Sequence, residues 1–141
     1  MTNKITIETH VVVSPEVAWD AFTSPASITQ WNFASPEWCC PSAEVDLRKG
    51  GKYTARMEAR DGSMGFDFSG TYDLVDPPSA LILRLDDGRL AHTTFEPDMG
   101  GTRVRTVFDP DSAHPAEMQK EGWQAILDTY AAFLARREKA R

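Results

Sequence analysis

Only two cysteines and three histidines occur among the 141 residues. The cysteines, Cys39 and Cys40, are adjacent and have no others to pair with. They make no disulfide framework. Zinc sites space paired cysteines roughly two to four residues apart, and His10, His92 and His114 show no ligand spacing. No metal and no cofactor is expected. A reactive thiolate needs nearby positive charge, and the flanking sequence offers only Glu37 and Glu44.

Positive charge is scarce as well. Fifteen Lys and Arg against twenty-one Asp and Glu leave a net charge of −6. That argues against nucleic acid, which needs clustered cations, and against an anionic membrane surface. No apolar run approaches the roughly 20 residues that span a bilayer. The opening "MTNKITIETH" has no apolar core of a secretion signal. The expectation is a cytoplasmic protein. With no repeat, linker or low-complexity stretch, residues 1–141 read as one domain, long enough for a sizeable core.

Strand and helix signals then follow closely. "KITIETHVVV" alternates from Ile5 to Val13 and predicts a strand. Ser14 is a good N-cap before Pro15 and Glu16. The Ser-Pro start recurs at Ser24-Pro25, before a shorter helical stretch ending at Trp31, and again at Ser35-Pro36, where one turn should lead into Trp38-Cys39-Cys40. From Ala43 to Asp109 the period is two. Gly50-Gly51, Asp61-Gly62, Pro77-Pro78, Asp87-Gly88 and Gly100-Gly101 punctuate it. This predicts an antiparallel meander of about six strands. After His114-Pro115, Trp123, Ile126, Leu127, Tyr130, Ala131 and Leu134 keep helical spacing. That long amphipathic helix must bury one face, and the sheet is the only large surface available. The fold class is α+β: a curved antiparallel sheet of about seven strands around a long C-terminal helix, with two short helices after strand 1.

Alternation assigns the concave face. Tyr53, Ala55, Met57 and Ala59 share a side, followed by Met64, Phe66, Phe68, Gly70, Tyr72 and Leu74. Leu81, Leu83 and Leu85 come next, then Ala91, Thr93 and Phe95, then Val104, Thr106 and Phe108. This face carries no charged residue and no histidine. Its polar groups are hydroxyls, which suit a binding cavity better than acid–base catalysis. No catalytic residue is assigned. Half or so of these side chains are expected to be plain core.

Around this face the loop aromatics Trp31, Phe33 and Trp38 either line a cavity mouth or plug it. Trp123, Ile126, Leu127 and Tyr130 face the sheet from the helix. Gly122 is unfavourable inside a helix by about 1 kcal/mol relative to alanine. Its reading is close packing on the sheet, or room left for a ligand. The charge-rich "ARMEARDG" and "ARREKAR" read as solvated faces, the second also as a partner contact.

The order of these segments resembles the SRPBCC superfamily (START-like, Bet v 1-like), and within it the heat-shock protein 90 ATPase activator homologues. The resemblance is carried by "WDAFTSP" at 19–25, Trp31, "DLRKGGKY" at 46–53 and "DGSMGFDFSGTYDLVDPP" at 61–78. "DGRLAHTTFE" at 87–96, Thr102 and "EGWQAIL" at 121–127 extend it over nearly the whole chain. It implies the helix-grip fold. It does not imply one function, because relatives include co-chaperone domains, carriers of hydrophobic ligands and cyclase- or hydratase-type enzymes. The eukaryotic co-chaperones carry a second domain for which this chain has no room, and no catalytic motif carries over.

The expected function is binding of a small, largely apolar molecule, aromatic or lipid-like, between the sheet and the C-terminal helix. The alternatives are a co-chaperone-like domain stimulating a chaperone ATPase, with a chaperone or homodimer partner, and a polyketide cyclase or lyase using Tyr53 or Tyr72 as acid.

Overall fold

A computed structural model describes residues 4–139. Residues 1–3 and 140–141, which the single-domain reading includes, lie outside the described residues, as do Ala140 and Arg141 of the charge-rich C-terminal tail. The chain runs β1 (Ile5–Val11), α1 (Pro15–Thr23), α2 (Pro25–Trp31), β2 (Trp38–Val45), β3 (Lys52–Ala59), β4 (Gly65–Asp76), β5 (Ala80–Leu85), β6 (Leu90–Asp98), β7 (Gly101–Phe108) and α3 (Ala116–Lys139). One seven-stranded sheet has the order β1-β7-β6-β5-β4-β3-β2, with every pair antiparallel. The sheet curls into a half-barrel that grips the C-terminal helix, the α+β helix-grip arrangement expected from the sequence.

Local chemistry explains most of the boundaries. Ser14 caps α1 by accepting from the Val17 N–H at 3.3 Å, with Pro15 inside the first turn. The predicted turn at Ser35-Pro36 forms, the Trp38 N–H donating to the Ser35 carbonyl at 3.1 Å. Gly62 and Gly88 follow aspartates in tight hairpin turns and adopt φ of +79° and +93°, which glycine reaches without steric cost.

Three parts of the alternation differ from expectation. The sheet begins at Trp38 rather than Ala43, because Trp38 and Cys39 pair with Ala59 and Glu58. A register shift between Cys39 and Ser42 holds Pro41, which has no N–H to give, on an edge strand where that is tolerated. A second shift, between Tyr72 and Leu74, turns Leu74 outward against Ile82 and brings Val75 onto the core opposite Leu81. Met64 sits in the β3–β4 turn and is exposed, not on the inner face. The other inner assignments hold: Leu81, Leu83, Leu85, Ala91, Thr93, Phe95, Val104, Thr106 and Phe108 are all buried, and His92 is exposed.

α3 is fastened by hydrogen bonds at both ends of its buried stripe. The Tyr130 hydroxyl donates to the Ala18 carbonyl of α1 at 2.7 Å, and Gln124 Nε2 donates to the Glu8 carbonyl of β1 at 3.1 Å. At the helix start, Gln119 Oε1 accepts from the Asp111 N–H at 2.8 Å while its Nε2 donates to the Asp111 and His114 carbonyls. α3 thus lies close to β1, α1 and α2, and space remains between it and the middle strands. Gly122 departs from the sequence reading: a methyl group at its Cα would meet nothing within 4 Å. It neither packs tightly on the sheet nor lines the space beneath the helix.

Candidate functional site

Between α3, α2 and the concave face of the sheet lies a cavity of about 360 Å³. That is near the lower end of ligand pockets, which span roughly 300–1,000 Å³. The sheet supplies Tyr53 and Met57 from β3, Phe66, Phe68 and Tyr72 from β4, and Leu83 from β5; Thr93 of β6 completes this part of the wall. Trp123, Ile126 and Leu127 close it from α3, and Trp31 from α2. These are positions at which the inward alternation of the strands meets the inward stripe of the helix.

Four sequence-designated residues stand elsewhere. Phe95 and Tyr130 are fully buried beside the cavity, packed edge-on around Phe22 with ring centroids 5.4 Å from it. They are core. Trp38 and Phe33 belong to the rim. Trp38 meets Phe66 edge-on at 6.1 Å, and Phe66 both lines the cavity and is 48% exposed. Phe33 lies under the Arg60 guanidinium, 5.8 Å from ring centroid to Cζ. Arg60 also donates from Nε to the Pro36 carbonyl at 2.8 Å, so it clasps the 33–38 loop to the end of β3. Reading "ARMEARDG" as a solvated face missed this, since nothing in the local pattern marks a guanidinium that reaches across to another loop.

The structure also adds lining residues that sequence reasoning did not designate: Ile7, Phe22, Asn32, Leu81, Ala91 and Thr106. Alternation placed Leu81, Ala91 and Thr106 on the inner face. Asn32 follows Trp31 in the chain, but only the tertiary fold shows that the end of α2 reaches β3 and that Phe22 of α1 stacks on Trp31 beside the cavity.

The wall is held by ring packing. Trp31 donates from Nε1 to the Ala21 carbonyl at 2.9 Å, stacks on Phe22 at 5.4 Å and meets Tyr130 edge-on at 5.1 Å. Trp123 stacks on Phe108 at 3.9 Å with an interplanar angle of 8° and meets Phe68 edge-on. Aromatic contacts of these kinds add about 0.5–1.5 kcal/mol each beyond burial.

The polar groups are few and uncharged. Thr93 and Thr106 hydroxyls lie 2.7 Å apart, one donating to the other. Asn32 Nδ2 donates to the Tyr53 hydroxyl at 3.5 Å, the long end of hydrogen bonding. Burial pushes the Tyr53 phenol well above the ordinary tyrosine range, helped by the neighbouring Tyr72 and Cys40, and burial does the same for Tyr72. Both stay protonated at any physiological pH and keep a proton to donate. Among the described residues, no Asp, Glu, His, Lys or Arg lines the cavity.

Cys40 is buried behind this wall, and Cys39 is half-buried. Burial raises the Cys40 thiol, with Asn32 as a weaker opposing influence, so the thiolate is disfavoured. Among the described residues, no group of three His, Cys, Asp or Glu side chains could hold a metal ion. No described helix is long and apolar enough to cross a membrane.

The family described as "Activator of Hsp90 ATPase homolog 1-like protein" matches residues 12–135. An AHSA1-like protein from Aeromonas hydrophila, known from a solution structure, is 39% identical with a TM-score of 0.91, covering 96% of this chain and 94% of its own. A protein from Cytophaga hutchinsonii is also 39% identical, with a TM-score of 0.82 over 99% and 96% of the two chains. A protein from Nitrosomonas europaea, at 22% identity and a TM-score of 0.82 over 99% and 97%, shares the fold. No curated protein matches.

Proposed function

The chain belongs to the Activator of Hsp90 ATPase homolog 1-like family, and on that premise we propose that it binds a small, largely apolar molecule in the cavity between α3 and the sheet. One observation carries the reading: a 360 Å³ space is walled mostly by aromatic and aliphatic side chains, and none of the described residues that line it is charged. Burial of apolar ligand surface there contributes about 25 cal/mol per Å², and the hydroxyls and Asn32 orient the molecule. Several side chains that alternation alone would count as core leave the space open instead of filling it. Trp31 and Trp123 line it, so occupancy is expected to change intrinsic tryptophan emission.

The test is a thermal-shift screen against neutral aromatics, fatty acids and sterols. A ligand at about 100 times its Kd stabilises the fold by roughly 2.7 kcal/mol. A saturable rise in Tm from one chemical class supports the reading and names the class. No rise from any class counts against it.

A second reading follows from the family description, which names activation of a chaperone ATPase. Its specific support is at the far end of the sheet, where Val12 and Met99 are 79% and 92% exposed. Val12 follows the end of β1 and Met99 sits in the β6–β7 turn beside it, because Val11 pairs with Thr102. Under this reading the purified chain stimulates ATP hydrolysis by an Hsp90-type chaperone, and Val12→Ser with Met99→Ser reduces the stimulation. A cyclase or lyase reading is less well supported. Tyr53 and Tyr72 could give a proton as acids, but no carboxylate or imidazole lines the cavity to take one.

A further inference from the structure

Among the hydroxyls that line the cavity, that of Tyr72 alone has no partner among the described residues. Tyr72 is 3% exposed. Its hydroxyl makes no hydrogen bond with any described residue, whereas the other lining hydroxyls all do. No fully enclosed side-chain oxygen or nitrogen among the described residues lacks a partner. The Tyr72 oxygen is therefore not sealed in the core; it opens onto the cavity that the residue lines. A buried polar group without a partner is unfavourable by about 1–3 kcal/mol, and a phenylalanine would fit the same wall without that cost.

Tyr53 stands beside it, with ring centroids 6.3 Å apart and planes at 80°. Its oxygen already accepts the long contact from Asn32, which leaves its own proton to donate. A phenol is a good donor and a weak acceptor, because its lone pair is delocalised into the ring. The two hydroxyls thus ask for an acceptor. The acceptor is uncharged, since no cation lines the cavity to offset a buried carboxylate.

Resting on the binding reading above, we infer that Tyr72, assisted by Tyr53, is the polar anchor of the site, and that the ligand is a neutral apolar molecule carrying a carbonyl oxygen. The carbonyl accepts from Tyr72 at the β3–β4 end, while the body of the molecule lies against Phe68, Trp123, Ile126 and Leu127. The specificity is for a ketone, quinone, ester or amide over the parent hydrocarbon. The unmet hydroxyl rejects the hydrocarbon because nothing then satisfies it.

A matched pair of fluorescent probes tests this: propionyl-dimethylaminonaphthalene, which is a neutral ketone, and propyl-dimethylaminonaphthalene, in which a methylene replaces the carbonyl. The wild-type chain is expected to bind the ketone about three- to tenfold more tightly than the propyl compound, the worth of one good hydrogen bond. Tyr72→Phe is expected to remove that preference by weakening the ketone alone, and to shift the emission of the bound ketone to shorter wavelength. The Tyr72 hydroxyl holds no part of the fold, so circular dichroism should be unchanged in the variant. Equal binding of both probes to the wild type, or an unchanged preference in Tyr72→Phe, overturns the anchor while leaving the cavity reading intact. Loss of the preference in Tyr53→Phe but not in Tyr72→Phe overturns the assignment to Tyr72. Binding of neither probe overturns both readings together.

Discussion

The hydroxyl of Tyr130 donates to the carbonyl oxygen of Ala18 at 2.7 Å and ties the long helix α3 to α1 through the centre of the core. Both ends of this bond are fully buried. Tyr72, by contrast, has a hydroxyl that no described residue engages. The same substitution should therefore act differently at the two positions. Tyr130→Phe removes a buried hydrogen bond to the Ala18 carbonyl and is expected to cost about 0.5–1.5 kcal/mol. Tyr72→Phe is expected to fall within about 0.5 kcal/mol of the parent, or to stabilise. Urea denaturation of the two variants checks this, and equal losses would contradict it.

Gly122 lies inside α3 with open space around its Cα. Alanine removes the backbone entropy that glycine loses on folding and meets no neighbour. Gly122→Ala is expected to stabilise by about 0.5–1 kcal/mol without changing ligand binding. A destabilised variant would mean that a close contact exists at this position after all.

Phe68 is a lining residue that packs edge-on to Trp123 and Tyr53. Phe68→Trp adds ring volume where the cavity is. The fold is expected to survive, because the new atoms enter open space rather than a packed core. Affinity for any ligand that answers the thermal-shift screen is expected to fall about tenfold or more. Unchanged affinity would place the ligand elsewhere.

The pH behaviour follows from the three buried phenols. Tyr53, Tyr72 and Tyr130 all have their ionisation raised by burial in the folded state, whereas in the unfolded chain they ionise near pH 10. Above that value the folded chain holds more protons than the unfolded one. Stability is thus fully present below about pH 10 and is lost as the pH rises beyond it. At the acid end the signs reverse. Asp109 is held below its ordinary value by the Lys4 ammonium and the Leu90 N–H, so its contribution is present above about pH 4 and is lost as the pH falls. Affinity for a neutral ligand is expected to be flat from about pH 5 to 9, since no carboxylate or histidine lines the cavity. Denaturation at a series of pH values and a parallel binding titration check both statements. A sigmoidal step in affinity near neutrality would require a titrating group at the site.

Much of this molecule could be read from the alternation of its strands. Wherever Leu81, Leu83, Leu85 or Thr93, Phe95 recur every second residue between clear turns, the inner face was legible, and so was the stripe from Trp123 to Leu134 on α3. The misassignments lie where that period breaks. A strict count of two puts Leu74 inward, because it cannot register the one extra residue in β4. Trp38 to Val45 was recognised as a strand only from Ala43, because the shift around Pro41 hides the alternation. Asn32 lies on no regular face and reaches the cavity only through the exit of α2 toward β3. Gln119 likewise showed no signal of its own, since its three hydrogen bonds go to the loop before it rather than to its helix face. Local pattern also cannot tell a lining side chain from a core one: Phe95 and Phe68 look alike in sequence, but Trp19 and Phe22 of α1 cover Phe95 while Phe68 lines the cavity.

The most direct test of a ligand cavity beneath α3 is a nuclear magnetic resonance titration of the labelled chain with a neutral apolar ketone. The account predicts saturable shifts at the methyl groups of Ile7, Leu83, Ile126 and Leu127 and at the Trp123 indole, with Val12 and Met99 unmoved. Shifts confined to Val12, Met99 and their neighbours, or no saturable shift at all, would contradict it.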